Sequence, residues 1–262
     1  MSYSVRIRAA AKAAALHLLG SVVLATLAAM LVFEVWYPHP YALLSGGLNL
    51  FLILVGVDVV CGPILTLILF NPGKSINELM VDLSLVMLVQ LAALLFGLHT
   101  VYQARPLFLV HEIDRFRVIT LGDFGDGAPE SIFASTPINL KPGFLDGPKI
   151  VGIRDPLDPK ERQDILFESV FGGRDYSQRP EFYVPYDGAY KEKSLKRSRP
   201  LKNFLEKYPE KAHEAARILK PQGLGVSEAV FLPVLHKQDW VAMLNKSGDV
   251  LGFLPGDGFE VP

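Results

Sequence analysis

The chain has 262 residues with 50 % hydrophobic and 20 % charged side chains and a formal net charge of −1, a mixture too apolar for one soluble domain and too charged for a pure membrane bundle. The near-neutral balance gives no electrostatic footprint for nucleic acid. The single cysteine, Cys61, excludes an intramolecular disulfide framework.

Three apolar runs open the chain: Ala13 to Trp36, interrupted by His17 and Glu34; Tyr41 to Phe70, interrupted by Asn49 and Asp58; and Leu79 to Val101, interrupted by Asp82, Gln90 and His99. Each exceeds the ~20 residues that cross a bilayer as a helix. The first, preceded by Arg6, Arg8 and Lys12, reads as a retained signal anchor with its N-terminus in the cytoplasm, because the connections that follow carry almost no cations. Three spans then place residues from Arg105 onward across the membrane, in the periplasm of a Gram-negative cell. Trp36, Tyr37 and Tyr41 cluster where an aromatic belt is expected. Residues 1–104 are therefore expected as a three-helix transmembrane domain and 105–262 as a soluble domain.

Pro72-Gly73 marks the turn of a hairpin between the second and third spans. Counted from that turn, Asp58 and Gln90 both fall roughly 17 Å into the bilayer at 1.5 Å per residue. A carboxyl at such depth costs about 2.5 to 3.5 kcal/mol on insertion scales, so a bond between the two side chains is expected. Such a bond either glues the hairpin or grips a partner helix. Gly56, Gly62 and Pro63 lie close by in sequence, and glycines admit close helix approach, so Gly56, Asp58, Gly62, Pro63 and Gln90 form the candidate partner-binding groove. The plainer alternative is packing among the chain's own three helices. Glu34, His17 and His99 read as interfacial.

Past the third span, Arg105-Pro106 restarts the chain. Arg105 is expected at headgroup level, on lipid phosphate or reaching Asp114. Leu107–Leu121 reads as one strand interrupted by Asp114-Arg115-Phe116-Arg117, and Arg105, Asp114, Arg115 and Phe116 are the candidate membrane-exit and outer-domain contacts. A loop from Gly122 to Asp155 follows, with a turn at Gly122–Gly127 and a strand at Lys149–Arg154. Asp158–Val170 reads as a helix capped by Asp158, with Pro159 at its first position and Ile165, Leu166 and Val170 on one face. Short helices are expected at Leu201–Lys207 and Pro209–Leu219, and an antiparallel β-meander at Ala229–His236, Trp240–Asn245 and Val250–Leu254. The fold class is a membrane protein: three transmembrane α-helices followed by a soluble α+β domain. The cation-rich Lys191–Lys202 segment reads as a solvated face, with anionic headgroups or an acidic protein patch as the alternative partner.

No catalytic constellation is evident. His111-Glu112-Ile113-Asp114-Arg115 starts like a zinc protease motif but lacks its second histidine, and no second intramembrane aspartate lies at the depth of Asp58. We expect no enzyme activity, no metal and no cofactor. A small transporter or channel subunit using Asp58 is the alternative function, with a membrane-anchored sensor as a third class.

The run Gly56-Val57-Asp58, Gly62-Pro63-Ile64-Leu65-Thr66-Leu67, Phe70, Lys74, Asp82-Leu83, Gln90-Leu91-Ala92-Ala93-Leu94, Gly97, Arg105-Pro106 and Asp114-Arg115-Phe116 resembles the type IV pilin accessory protein family (TfpX/TfpZ). Beyond Gly122 only general character matches. The resemblance implies a bacterial inner-membrane protein of type IV pilus (fimbrium) biogenesis that assists its cognate major pilin as a chaperone. The implied partners are the pilin's transmembrane helix and periplasmic head, the lipid bilayer and other inner-membrane assembly components. No catalytic activity is implied.

Overall fold

The computed structural model describes residues 3–124 and 133–261; part of the Gly122–Gly127 turn lies outside them. The chain divides into two compact units, one formed by residues up to Ala42 with Gly46–Gln103, the other by residues from Ala104 onward with Leu43–Ser45.

In the first unit α1 (Tyr3–Met30) passes directly into a π-helical stretch, Leu31–Trp36; the single turn α2 (Tyr41–Leu44) starts in this unit, its last two residues belonging to the other; and α3 (Gly47–Leu69) and α4 (Ile76–Gln103) form the hairpin. The expected unbroken second span is thus split at Ser45-Gly46, where Gly46 takes a φ of 70° that glycine adopts without strain. Three helical segments, Ser4–Trp36, Gly47–Leu69 and Ile76–Gln103, are long and apolar enough to cross a membrane. The hairpin turn is held by Asn71, whose side-chain oxygen accepts from the Gly73 N–H at 3.1 Å. At the head of α4, Ser75 and Glu78 exchange side-chain and backbone bonds at 3.1 and 3.3 Å, satisfying two amide groups that a helix start leaves without partners.

The aromatic residues at the end of the first span do not form a lipid-facing belt. Trp36 and Tyr37 are buried with Ala28, Val32, Phe51 and Val101. The Trp36 ring meets Tyr102 edge to face at 5.1 Å, and the Tyr37 hydroxyl donates to the Val101 carbonyl at 2.9 Å. Protein contacts bury the apolar rings and satisfy the hydroxyl together, which outcompetes an interfacial position.

The second unit is built on one eight-stranded mixed sheet. Its strands are β1 (Pro106–Glu112), β2 (Arg115–Thr120), β3 (Lys149–Ile153), β4 (Tyr183–Pro185), β5 (Arg199–Pro200), β6 (Ala229–Leu235), β7 (Trp240–Asn245) and β8 (Val250–Pro255), in spatial order β4-β3-β1-β2-β6-β7-β8 with β5 on β6. β6, β7 and β8 form the antiparallel meander. The sheet as a whole is not antiparallel, because β1 runs parallel to β3 and β2 parallel to β6.

The expected single strand over 107–121 is instead a hairpin. Glu112 pairs with Arg115, leaving Ile113-Asp114 as a two-residue turn. Ile113 takes φ 58°, the one positive φ at a non-glycine among the described residues. The longer helices among the described residues are α5 (Pro159–Val170), α6 (Gly188–Leu195), α7 (Leu201–Lys207) and α8 (Ala212–Leu219). Asp158 caps α5 by accepting from the Glu161 N–H at 2.8 Å. Of the three apolar residues expected on its inner face only Ile165 is buried; Leu166 and Val170 are exposed. Leu166 and Val170 form their own i,i+4 row, about 100° around the helix from Ile165.

Of the apolar clusters that bury this sheet, one gathers Leu107, Phe108, Val110, Ile119, Val151, Ile153, Ile165 and Phe182; another gathers Leu201, Phe204, Ala215, Leu219, Phe231, Val241, Met243 and Leu254.

Candidate functional site

In the helical unit α3 packs against both α1 and α4. Gly62 is buried where the Gln90 side chain crosses it, so close that an added Cβ would collide with the amide. Gly97 of α4 does the same for Leu54 of α3. The two glycines thus seat one side chain from each partner helix, the small-residue logic by which membrane helices approach. On the other flank, His17 of α1 lies 2.5 Å from the Thr66 hydroxyl, with Nδ1 facing Oγ1. His17 is therefore a crosslink between helices rather than an interfacial group, a role that sequence reasoning missed because Thr66 is an unremarked polar residue in an apolar run.

Asp58 and Gln90 do meet at the same level, but through a different atom from the one expected. The Gln90 amide donates to the main-chain carbonyl of Asp58 at 3.0 Å. Among the described residues no side chain pairs with the Asp58 carboxyl, which stays half-buried on an apolar helix. Gly56 lies two positions away, about 200° around the helix, and is open, with nothing near the place a Cβ would take. Pro63 lies about 140° from Asp58, on the side of Gly56. Gly62, Gln90 and the Asp58 backbone are brought together; Gly56 and Pro63 share a separate, outward row with Val60. Asp58 itself shares a row with Cys61 and Leu65, both exposed.

In the second unit the four candidate contact residues separate. Arg105 is only 2 % exposed, and its guanidinium donates to the carbonyls of Gly143 at 2.9 Å and Phe144 at 3.0 Å. It is thus a buried brace rather than a lipid-phosphate ligand, and it does not reach Asp114. Asp114 and Arg115 pair with each other at the hairpin turn at 2.7 Å, and Arg115 lies over the Phe259 ring, 4.7 Å from its centroid. Phe116 is fully buried and meets His111 edge to face at 5.3 Å.

His111, the first residue of the incomplete zinc motif, is closed in by Phe116, Tyr186 and Tyr190. Burial, reinforced by the Lys193 charge, pulls its pKa down to about 4, so the ring is neutral at physiological pH. The Tyr190 hydroxyl donates to the His111 carbonyl at 3.1 Å. The Lys191–Lys202 run is a solvated segment, with Lys196 and Arg197 exposed, and part of it is paired. Lys191 pairs with Asp249 at 2.6 Å, Lys193 with Asp155 at 2.8 Å and Lys202 with Glu206 at 3.5 Å, while Arg199 donates to the Gly258 carbonyl at 2.7 Å.

The family model described as fimbrial assembly protein FimB matches residues 5–46. The chain is 35 % identical over 256 residues to the "Fimbrial assembly protein, serogroup I" of Dichelobacter nodosus, covering 96 % of this chain and 97 % of that protein. It is 34 % identical over 256 residues, with the same coverage, to the serogroup E1 protein of that organism. It is also 45 % identical over 114 residues to the protein of serogroups C1 and C2, covering 44 % of this chain and 87 % of that one. No solved structure matches. Near full-length similarity to these relatives, together with the motif run from Gly56 to Phe116 and three membrane-type helices, shows that the chain belongs to the fimbrial assembly protein family and has a role in pilus assembly.

Proposed function

We propose that the protein is a non-catalytic, pilin-specific chaperone of the bacterial inner membrane. The N-terminus is cytoplasmic, in keeping with Arg6, Arg8 and Lys12, and the domain from Ala104 onward is periplasmic. The apolar helix of a major pilin docks along the row of Asp58, Cys61 and Leu65 on α3, and the outer domain meets the pilin head. One observation carries this reading: the Asp58 carboxyl is held at mid-helix with no side-chain partner among the described residues, while Gln90 occupies its backbone instead. An unpaired carboxyl in hydrocarbon costs about 2.5 to 3.5 kcal/mol, a cost that a hydrogen-bonding group on an incoming helix would offset.

The test is photocrosslinking in cells from positions 57, 60 and 61, combined with Asp58 variants. A pilin adduct from 61, with capture retained in Asp58→Asn and lost in Asp58→Leu at normal expression, is the expected result. Equal pilin capture by wild type and Asp58→Leu would sink the polar-anchor reading. Adducts from 60 but not 61 would move the dock to the Gly56–Pro63 row.

A further inference from the structure

The segment Gly143–Asp146 holds its main chain tightly and leaves its largest side chains outside. Phe144 is 56 % and Leu145 66 % exposed. By contrast, the Gly143 and Phe144 carbonyls are taken by the buried Arg105 guanidinium, and the Gly143 N–H donates to the Asp146 carboxylate at 2.9 Å. Asp146 in turn pairs with Lys149 at 3.2 Å, and the same ammonium donates to the Lys141 carbonyl at 2.8 Å. The Gly143 N–H and the Gly143 and Phe144 carbonyls are thus satisfied from within, which lowers the cost of taking this loop into a region poor in water.

Its location is set by covalent continuity. Arg105 follows Gln103, the last residue of α4, by two positions. At 3.8 Å between successive Cα atoms, the Arg105 Cα is tethered within about 8 Å of the place where that helix ends, and the carbonyls it holds lie one arginine side chain further on. Two largely exposed apolar side chains presented so close to the end of a membrane helix suit the boundary between headgroups and acyl chains.

We infer that Gly143–Asp146 is a membrane-interface wedge, seating Phe144 and Leu145 in the outer-leaflet boundary of a phospholipid bilayer, with Arg105 as its internal brace. The wedge rests on the reading of α4 as a span. It gives the outer domain a second attachment to the bilayer.

The test uses the full chain with Cys61→Ala and single cysteines introduced by Leu145→Cys, Val89→Cys or Ser247→Cys. Each is labelled with an environment-sensitive nitrobenzoxadiazole dye and reconstituted into phosphatidylethanolamine–phosphatidylglycerol vesicles. Quenching is read with aqueous iodide and with lipids carrying a nitroxide at shallow or mid-acyl depth. The label at 145 is expected to be quenched best by the shallow nitroxide, that at 89 by the mid-acyl one, and that at 247 by iodide. Arg105→Ala should return position 145 to the iodide sensitivity of 247 with 89 unchanged. Iodide quenching at 145 in the parent, with 89 still lipid-quenched, overturns the wedge and leaves the span intact. Protection of 145 from both quenchers overturns it in favour of a protein contact. Iodide quenching at 89 removes the span and the wedge with it.

Discussion

Gln90 reaches Asp58 by donating its amide to the Asp58 main-chain carbonyl, and the Gly62 surface over which it passes has no room for a Cβ. The interhelical bond is therefore independent of the Asp58 carboxyl, so the aspartate can be changed without opening the hairpin. Glue and anchor are two separate features of one helix turn.

A double-mutant cycle follows from that geometry. Gly62→Ala should push the Gln90 amide off its acceptor and cost about 1 kcal/mol, close to the cost of Gln90→Leu. The pair together should cost little more than either alone, since both remove one bond. Reversible unfolding in bicelles or detergent measures the coupling; full additivity would show that Gly62 and Gln90 act separately.

The β1–β2 turn is predicted to be improvable. Ile113 holds φ 58° at the first position of a two-residue hairpin loop, where glycine is favoured and a β-branched residue is strained. Ile113→Gly should stabilise the outer domain by roughly 1 kcal/mol. Hydrogen exchange of the β1 and β2 amides reads the change. Slower opening is expected; faster opening would mean that Ile113 makes stabilising contacts that outweigh its backbone strain.

Acid should loosen the same hairpin. His111 has its folded pKa pulled down to about 4, against 6.5 for an unperturbed histidine, so below pH 6.5 the unfolded chain takes up a proton that the folded one refuses. Stability is present above pH 6.5 and is lost progressively as pH falls from there to about 4, by about 3 kcal/mol at 1.36 kcal/mol per unit. His111→Phe keeps an aromatic ring in the cage and should flatten that part of the pH profile. An unchanged slope between pH 7 and 5 in the variant would assign the acid sensitivity elsewhere, with His236, also pulled down to about 4 by burial, the next residue to change.

The elements with strong local signals were legible in the sequence. The three apolar helices, the α5 cap at Asp158, the helix Leu201–Lys207 and the meander all follow from periodicity and turn chemistry, and all are present. The turn at Ile113-Asp114 was hidden because an isoleucine at positive φ contradicts the residue preference that marks such turns. The parallel pairings of β1 with β3 and β2 with β6 join distant segments, and no local pattern encodes them. In the candidate groove, the depth match of Asp58 and Gln90 was readable, but the acceptor was a carbonyl that every residue carries. The spacing of Gly56 and Asp58, by contrast, was sufficient to place them on different sides of a helix. Arg105 was misplaced because its acceptors lie in a proline- and glycine-rich loop with no signature of its own.

β2 meets β6 only through Phe116 with Val234 and Arg117 with Leu235, partners far apart along the chain. During synthesis, β1, β2, β3 and β4 and the core that serves them emerge before any residue of β6 exists. Until then β2 is a bare edge beside a finished half-sheet, open to pairing with any extended strand that arrives first. A chain cut short before Ala229 would keep that edge for good, so the meander acts as a built-in cover whose late arrival ends the period in which the domain is adhesive.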